Sequence, residues 1–126
     1  MTFCLMARYT GGGYDNAYID ASGWVTTIST NNSLVDFEIY KYGGVNYLKV
    51  NQPNNKWNGY YLSVNKNGYL GVYAWSGASG WKMSGKNLVS VFNGQIVGSG
   101  DNNFFRAAAG LRSFEFDNAE LIAGLS

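Results

Sequence analysis

A two-residue alternation of apolar and polar side chains runs through residues 45–75, VNYLKVNQPNNKWNGYYLSVNKNGYLGVYAW, and the chain repeats it on both sides. Tyr47-Leu48-Lys49-Val50 alternates; Tyr60-Tyr61-Leu62-Ser63-Val64 follows a polar loop; Tyr69 to Trp75 closes the unit. Successive strand side chains point to opposite faces, so this pattern predicts short, half-buried strands, and no 3.6-residue period competes with it. Asn67-Gly68 between two such runs predicts a two-residue hairpin turn, since both residues accept positive φ.

Upstream, Leu5 to Arg8, Tyr18 to Asp20 and Trp24 to Ile28 repeat the unit; downstream, Val89 to Val91, Ile96-Val97 and Phe104-Phe105 do so. Each unit ends on one more strand, Phe37 to Ile39, Trp81 to Met83 or Phe114 to Phe116. A period near forty residues is the mark of a repeat architecture. The three repeats span about 1–43, 44–85 and 86–126, and the expected fold is all-β, one domain over 1–126. Aligning the units gives five apolar core sets: Leu5, Leu48, Val89; Ile19, Leu62, Val97; Val25, Leu70, Phe105; Phe37, Trp81, Phe114; and Ile39, Met83, Phe116. Trp81 is thereby assigned to structure. Residues 107–111 read as a turn of helix, and Ala119 to Ile122 as a closing strand beside Phe3 to Leu5.

Three four-stranded units at this spacing resemble a β-trefoil. The stretches YLSVNKNGYLGVY and SLVDFEIYKYGG are most similar to the hisactophilin and fascin style of repeat, and more distantly to trefoil lectins such as amaranthin. The resemblance implies three pseudo-symmetric four-stranded repeats closing a barrel. It departs from its models at two points: the QxW signature of ricin-type lectins is replaced by Phe37-Glu38-Ile39, Trp81-Lys82-Met83 and Phe114-Glu115-Phe116, and the histidines of hisactophilin are missing.

Composition narrows the function. The chain has no histidine, which removes Ser-His and Cys-His nucleophiles and His-ligated metals. Carboxylates Asp15, Asp20, Asp36, Glu38, Asp101, Glu115, Asp117 and Glu120 could in principle supply a glycosidase pair, but Glu38 and Glu115 repeat at equivalent strand positions, where a surface role is simpler. No enzyme, cofactor or metal site is expected. Nine basic and eight acidic residues give a net charge of +1 without a basic block, so nucleic acid finds no electrostatic footprint. No apolar run approaches the length of a membrane span. The Gly11-Gly12-Gly13 run precedes no helix and no Lys-Ser/Thr pair, so it is not read as a phosphate cradle. A single cysteine, Cys4, read as a small strand or core residue, and the stretch Met1 to Met6, too short an apolar run and without a basic n-region, point to a cytoplasmic protein, or one released without classical secretion.

Aromatics outside the core sets carry the functional expectation. The loops after the first strands of repeats one and two align so that Tyr14 falls on Trp57 and Asp15 on Asn58, with Asn16 and Asn55 beside them; repeat three has only Asn93-Gly94-Gln95. A ring face can cover the C–H patch of a pyranose while Asp or Asn fixes its hydroxyls. The competing reading folds Tyr14 and Trp57 back as lids. A second set, Trp24, Tyr69 and Phe104, opens each third strand on the outer face, as cross-strand packing or as ligand contacts. Trp75 with Ser76, and Tyr40 with Tyr42, are further exposed aromatics suited to a ligand or a homodimer interface. The expected function is a lectin binding glycans or glycoproteins through Tyr14, Asp15, Asn16, Asn55, Trp57 and Asn58, with Trp24, Tyr69 and Trp75 as secondary candidates. The alternatives are a cytoskeletal, actin- or protein-binding module, which the hisactophilin and fascin resemblance implies, and a protease inhibitor presenting the loop around Pro53.

Overall fold

The computed structural model describes residues 1–9, 14–99 and 102–126, and excludes the side chains of Tyr14 and Asp15. The glycine run 11–13 and Asp101 lie outside the described residues. Unit one contains β1 (Met6–Tyr9), β2 (Tyr14–Asn16), β3 (Tyr18–Ile19), β4 (Val25–Thr26), β5 (Ser33–Leu34) and β6 (Phe37–Tyr42). Unit two contains β7 (Val45–Val50), β8 (Tyr61–Val64), β9 (Leu70–Tyr73) and β10 (Trp81–Ser84). Unit three contains β11 (Asn87–Ser90), β12 (Val97–Ser99), β13 (Phe105–Ala107) and β14 (Arg112–Phe116), followed by α1 (Ala119–Leu125). Among the described residues the fold is all-β apart from that last helix and a 3-10 turn at Trp75–Gly77. No helix among the described residues is long and apolar enough to cross a membrane.

Each unit is tied to the next by its final strand. β6 pairs with β7, β10 with β11, and β14 returns to β1, all antiparallel. The ladders nevertheless fall into four separate sheets rather than one closed barrel. Isolated bridges add a second set of ties. Trp24 pairs with Gly71, Tyr69 with Arg106 and Thr26 with Phe104, so the hairpin strands of all three units meet pairwise.

Inner faces converge on one apolar cluster to which every unit contributes. Phe37, Trp81, Phe105, Phe114 and Phe116 are its largest fully buried members. At roughly 1.5–3 kcal/mol per large side chain buried, this cluster is the main stabilising contribution. Trp81 combines burial with a donor bond, its Nε1–H reaching the Leu62 carbonyl at 2.9 Å.

Strand register corrects two of the aligned core positions. Ile39 faces Leu48, Met83 faces Leu88 and Phe116 faces Ala7, so Leu88 and Ala7 hold the place expected for Val89 and Leu5. Val89 is only half-buried and Val91 is exposed, because the third unit's first strand runs one residue out of the expected phase. Leu5 is buried all the same, next to its shifted neighbour. The same register sets Ser90 at the place of Val50, fully buried, with no hydrogen-bond partner for its Oγ among the described residues.

Three local expectations also change. The hairpin joining β8 to β9 forms, but only Gly68 has positive φ (+86°), and the turn closes by Gly68 N–H donating to Asn65 O at 2.9 Å. The turn therefore takes more than two residues. Residues 107–111 finish β13 and turn through Gly110, with φ +78°, instead of forming helix. Ala119 to Ile122 belong to α1, whose Leu121 and Leu125 are buried one turn apart. The backbone bonds expected from a closing strand are made instead by one side chain: Asn118 Oδ1 accepts from Met6 N–H at 3.0 Å, and its Nδ2–H donates to Cys4 O at 2.8 Å.

A small charge cluster pins β14 to β1. Arg8 reaches Glu115 and Asp117, each at 3.2 Å, and Lys86 reaches Asp117 at 3.2 Å. The hydrogen bond from Lys86, helped by Arg8, holds the Asp117 carboxyl below its ordinary value of 3.8. A carboxylate with a lowered folded pKa adds stability above its unfolded pKa and loses it as pH falls through the folded one. Stability measured by urea melts should therefore decline below about pH 4, and Asp117→Asn should flatten that decline. Gly68 gives a second check. A Cβ there would run into the backbone oxygen of Ala107, whereas nothing lies near a Cβ at Gly43, which has φ +59°. Gly68→Ala should lower stability by about 2 kcal/mol or more, and Gly43→Ala by about 1 kcal/mol, the difference isolating the clash from the backbone strain.

Candidate functional site

The three hairpin turns are built from short polar side chains that bond their own backbone. Asp20 Oδ1 accepts from Ser22 N–H and Trp24 N–H, both at 2.9 Å. Asn65 Oδ1 accepts from Asn67 N–H and Tyr69 N–H, again both at 2.9 Å. Asn102 Oδ1 accepts from Phe104 N–H at 3.2 Å. Each turn ends on an aromatic residue whose backbone the bond fixes.

Bridging between the hairpins then gathers those aromatics. Trp24, Tyr69 and Phe104, one from each unit, surround an open hollow of about 300 Å³ with Asn65 and Asn102. All three rings are half-buried. Gly71 lets Trp24 lie close, since a Cβ there would stand 3.2 Å from Trp24 Cε3. Tyr69 is braced on two sides: the Arg106 guanidinium lies 4.8 Å from its ring centroid, and Asn102 Nδ2–H points to its hydroxyl at 3.4 Å. Arg106 is itself fixed by donating from Nε to Asn67 O at 2.7 Å. Asn65 spends its oxygen on the turn, leaving its NH₂ without a partner among the described residues. The hollow thus offers three ring surfaces, a phenol and two amides.

Of the loop residues first in line as ligand contacts, the side chains of Tyr14 and Asp15 lie outside the described residues, and Asn16, Asn55, Trp57 and Asn58 make contacts within the fold. Trp57 lies half-buried on the unit-one turn, where a Cβ at Gly23 would stand 3.2 Å from its Cη2 and 3.4 Å from Cζ2. Tyr60 meets it edge-on at 5.4 Å, and Lys56 Nζ covers its ring at 4.7 Å while donating to Ala21 O at 3.0 Å. Asn55 Oδ1 accepts from Trp57 N–H at 2.8 Å and Asn58 Oδ1 from Gln52 N–H at 2.9 Å. Asn16 Nδ2–H reaches the Tyr18 hydroxyl at 3.4 Å. The two loops also differ in backbone. Tyr14 and Asp15 stand in β2, paired with Arg8 and Ala7, whereas residues 53–59 form turns without a strand. Trp57 and Tyr14 are therefore not equivalent in the fold.

Trp75 sits elsewhere, on the outer face of the sheet β6-β7-β8-β9, among Tyr40, Tyr42, Tyr47 and Tyr61. Sequence reading named Trp75, Tyr40 and Tyr42 but passed over Tyr47 and Tyr61. Their signal was present, since alternation from the buried Leu48 and Leu62 puts both on the outer face. Cys4 is half-buried, and burial, with Asp36 nearby, pushes its thiol up, away from the reactive thiolate. No group of three Cys, Asp or Glu side chains among the described residues is arranged to hold a metal.

Compared with protein-family models, curated proteins and solved structures, the chain matches none. Trp57→Ala should lower stability by about 2 kcal/mol, since it removes half-buried packing between units, as a denaturant melt would measure.

Proposed function

We propose that the protein is a non-catalytic lectin built as a β-trefoil of three pseudo-symmetric repeats, and that it binds glycans or glycoproteins. Support for the trefoil comes from the cyclic strand pairing between units and from the matching turns at Asp20 and Asn65. The hollow of Trp24, Tyr69 and Phe104, with Asn65 and Asn102, carries the functional reading. Rings stack on the apolar C–H face of a pyranose, and amides hydrogen-bond its hydroxyls with direction. Neither a nucleophile nor a metal is required of such a site.

The hollow is shallow and its polar groups are few, so a single sugar should bind weakly, with Kd on the order of a millimolar. Tyr69's bracing by Arg106 and Asn102 holds one ring in place before a ligand arrives, which limits the ordering required on binding.

A glycan array, followed by calorimetric titration with the best neutral sugar, tests the reading. Trp24→Ala removes half-buried packing on Gly71 and should lower stability by about 2 kcal/mol while leaving the chain folded, and Tyr69→Phe should leave the melting profile near wild type. The first should weaken binding about tenfold by removing ring surface, and the second by a smaller factor by removing one hydroxyl. A blank array, or a Trp24→Ala variant that binds every sugar as well as wild type, would defeat it.

A further inference from the structure

The sheet of β6 to β9 presents its two faces to different surroundings. Its inner face joins the core, while its outer face carries a ring cluster centred on Trp75. The Trp75 centroid stands 4.9 Å from Tyr47, 5.1 Å from Tyr61, 5.5 Å from Tyr42 and 6.1 Å from Tyr40. Trp75 remains 45% exposed and Tyr42 60% exposed. Rings so interlocked lose little freedom when something settles on them, which is the condition for a preformed binding surface.

A cation stands at the edge of this surface. Lys49 Nζ lies 5.2 Å from the Tyr40 centroid and 5.7 Å from that of Tyr61. Its opposite number in the strand register is Glu38, yet Glu38 Oε2 accepts from Asn51 Nδ2–H at 2.9 Å and makes no ion pair with Lys49. Among the described residues the ammonium has no carboxylate and no hydrogen-bond acceptor. Its contacts are ring faces, which stabilise it without satisfying its three donors.

We infer that Trp75 and Lys49 form a second saccharide site, selective for a pyranose bearing a carboxylate. The sugar's C–H face would lie on the exposed indole and Tyr42, and its carboxylate would take the charge-assisted bond that Lys49 lacks. A neutral sugar would gain the first interaction only. The Trp24 hollow lies at the turn end of β8 and this site at the other end, four residues or about 13 Å away along the strand, so both can be filled at once. The ligand class rests on the lectin reading above, but the two sites share no residue and can fail separately.

Calorimetric titration of the full chain with a glucuronic acid oligosaccharide, and with the glucose oligosaccharide of equal length, tests the site. Wild type should prefer the acidic sugar about tenfold, and the preference should shrink between about 0.05 M and about 0.5 M salt. Lys49→Met keeps the aliphatic stem over the rings and should abolish the preference; Trp75→Ala should lose the acidic sugar altogether. Both should leave the neutral ligand of the Trp24 hollow bound as in wild type. Full preference in Lys49→Met overturns the inference. So does a wild type that ignores the uronate yet binds a neutral sugar in a Trp24-dependent way, while absence of all saccharide binding removes the lectin reading as well.

Discussion

Each unit buries its apolar face only against the other two. No unit of about forty residues with strands of two to six residues could exclude water from Phe37, Trp81 or Phe114 by itself. The strand pairs β6–β7, β10–β11 and β14–β1 cross the unit boundaries, so the bonds that close one unit's final strand also anchor the next unit's first. Shared burial and shared hydrogen bonding together make the three units interdependent. Stability is then a property of the three units together.

From this dependence follows the position of the hollow. Hairpin turns that meet near a common centre must present whatever residue follows the turn to that centre. In all three units that residue is aromatic: Trp24, Tyr69 and Phe104. The turn bonds from Asp20 and Asn65 fix where those residues leave the turn. Ring placement is therefore a by-product of turn closure, and the amides that lie beside the rings are partly the turn formers themselves. On the lectin function proposed above, two ring surfaces at opposite ends of one hairpin would let one chain engage two sugars, and linked sites gain avidity with no new contact.

Much of this was legible in the residues. Alternation located nearly every strand, and apolar spacing named the buried counterparts of Trp81 and Phe105, while Ile39, aligned with Phe116, is only half-buried. Spacing failed where two registers satisfied the same pattern. Leu88-Val89 offers adjacent apolar residues, and pairing with Met83 chose Leu88. The stretch at Ala119 holds too few residues for either period to declare itself, and packing of Leu121 with Leu125 chose helix. Trp57 reads as exposed from its polar neighbours. It is half-buried because the glycine at position 23 leaves room for an indole that belongs to another unit.

The amino-acid order settled the class of structure, since a two-residue period can bury one face only as strand, and it settled the chemistry on offer, since a chain without histidine but rich in Tyr, Trp and Asn presents rings and amides. Tertiary structure decided which rings would be walls of a hollow, which would cover a core edge and which would gather around Trp75. Those choices depend on contacts between units far apart in the chain. Local pattern sees an aromatic residue on an outer face, but only the neighbouring unit determines whether that face is solvent, a partner strand or another ring.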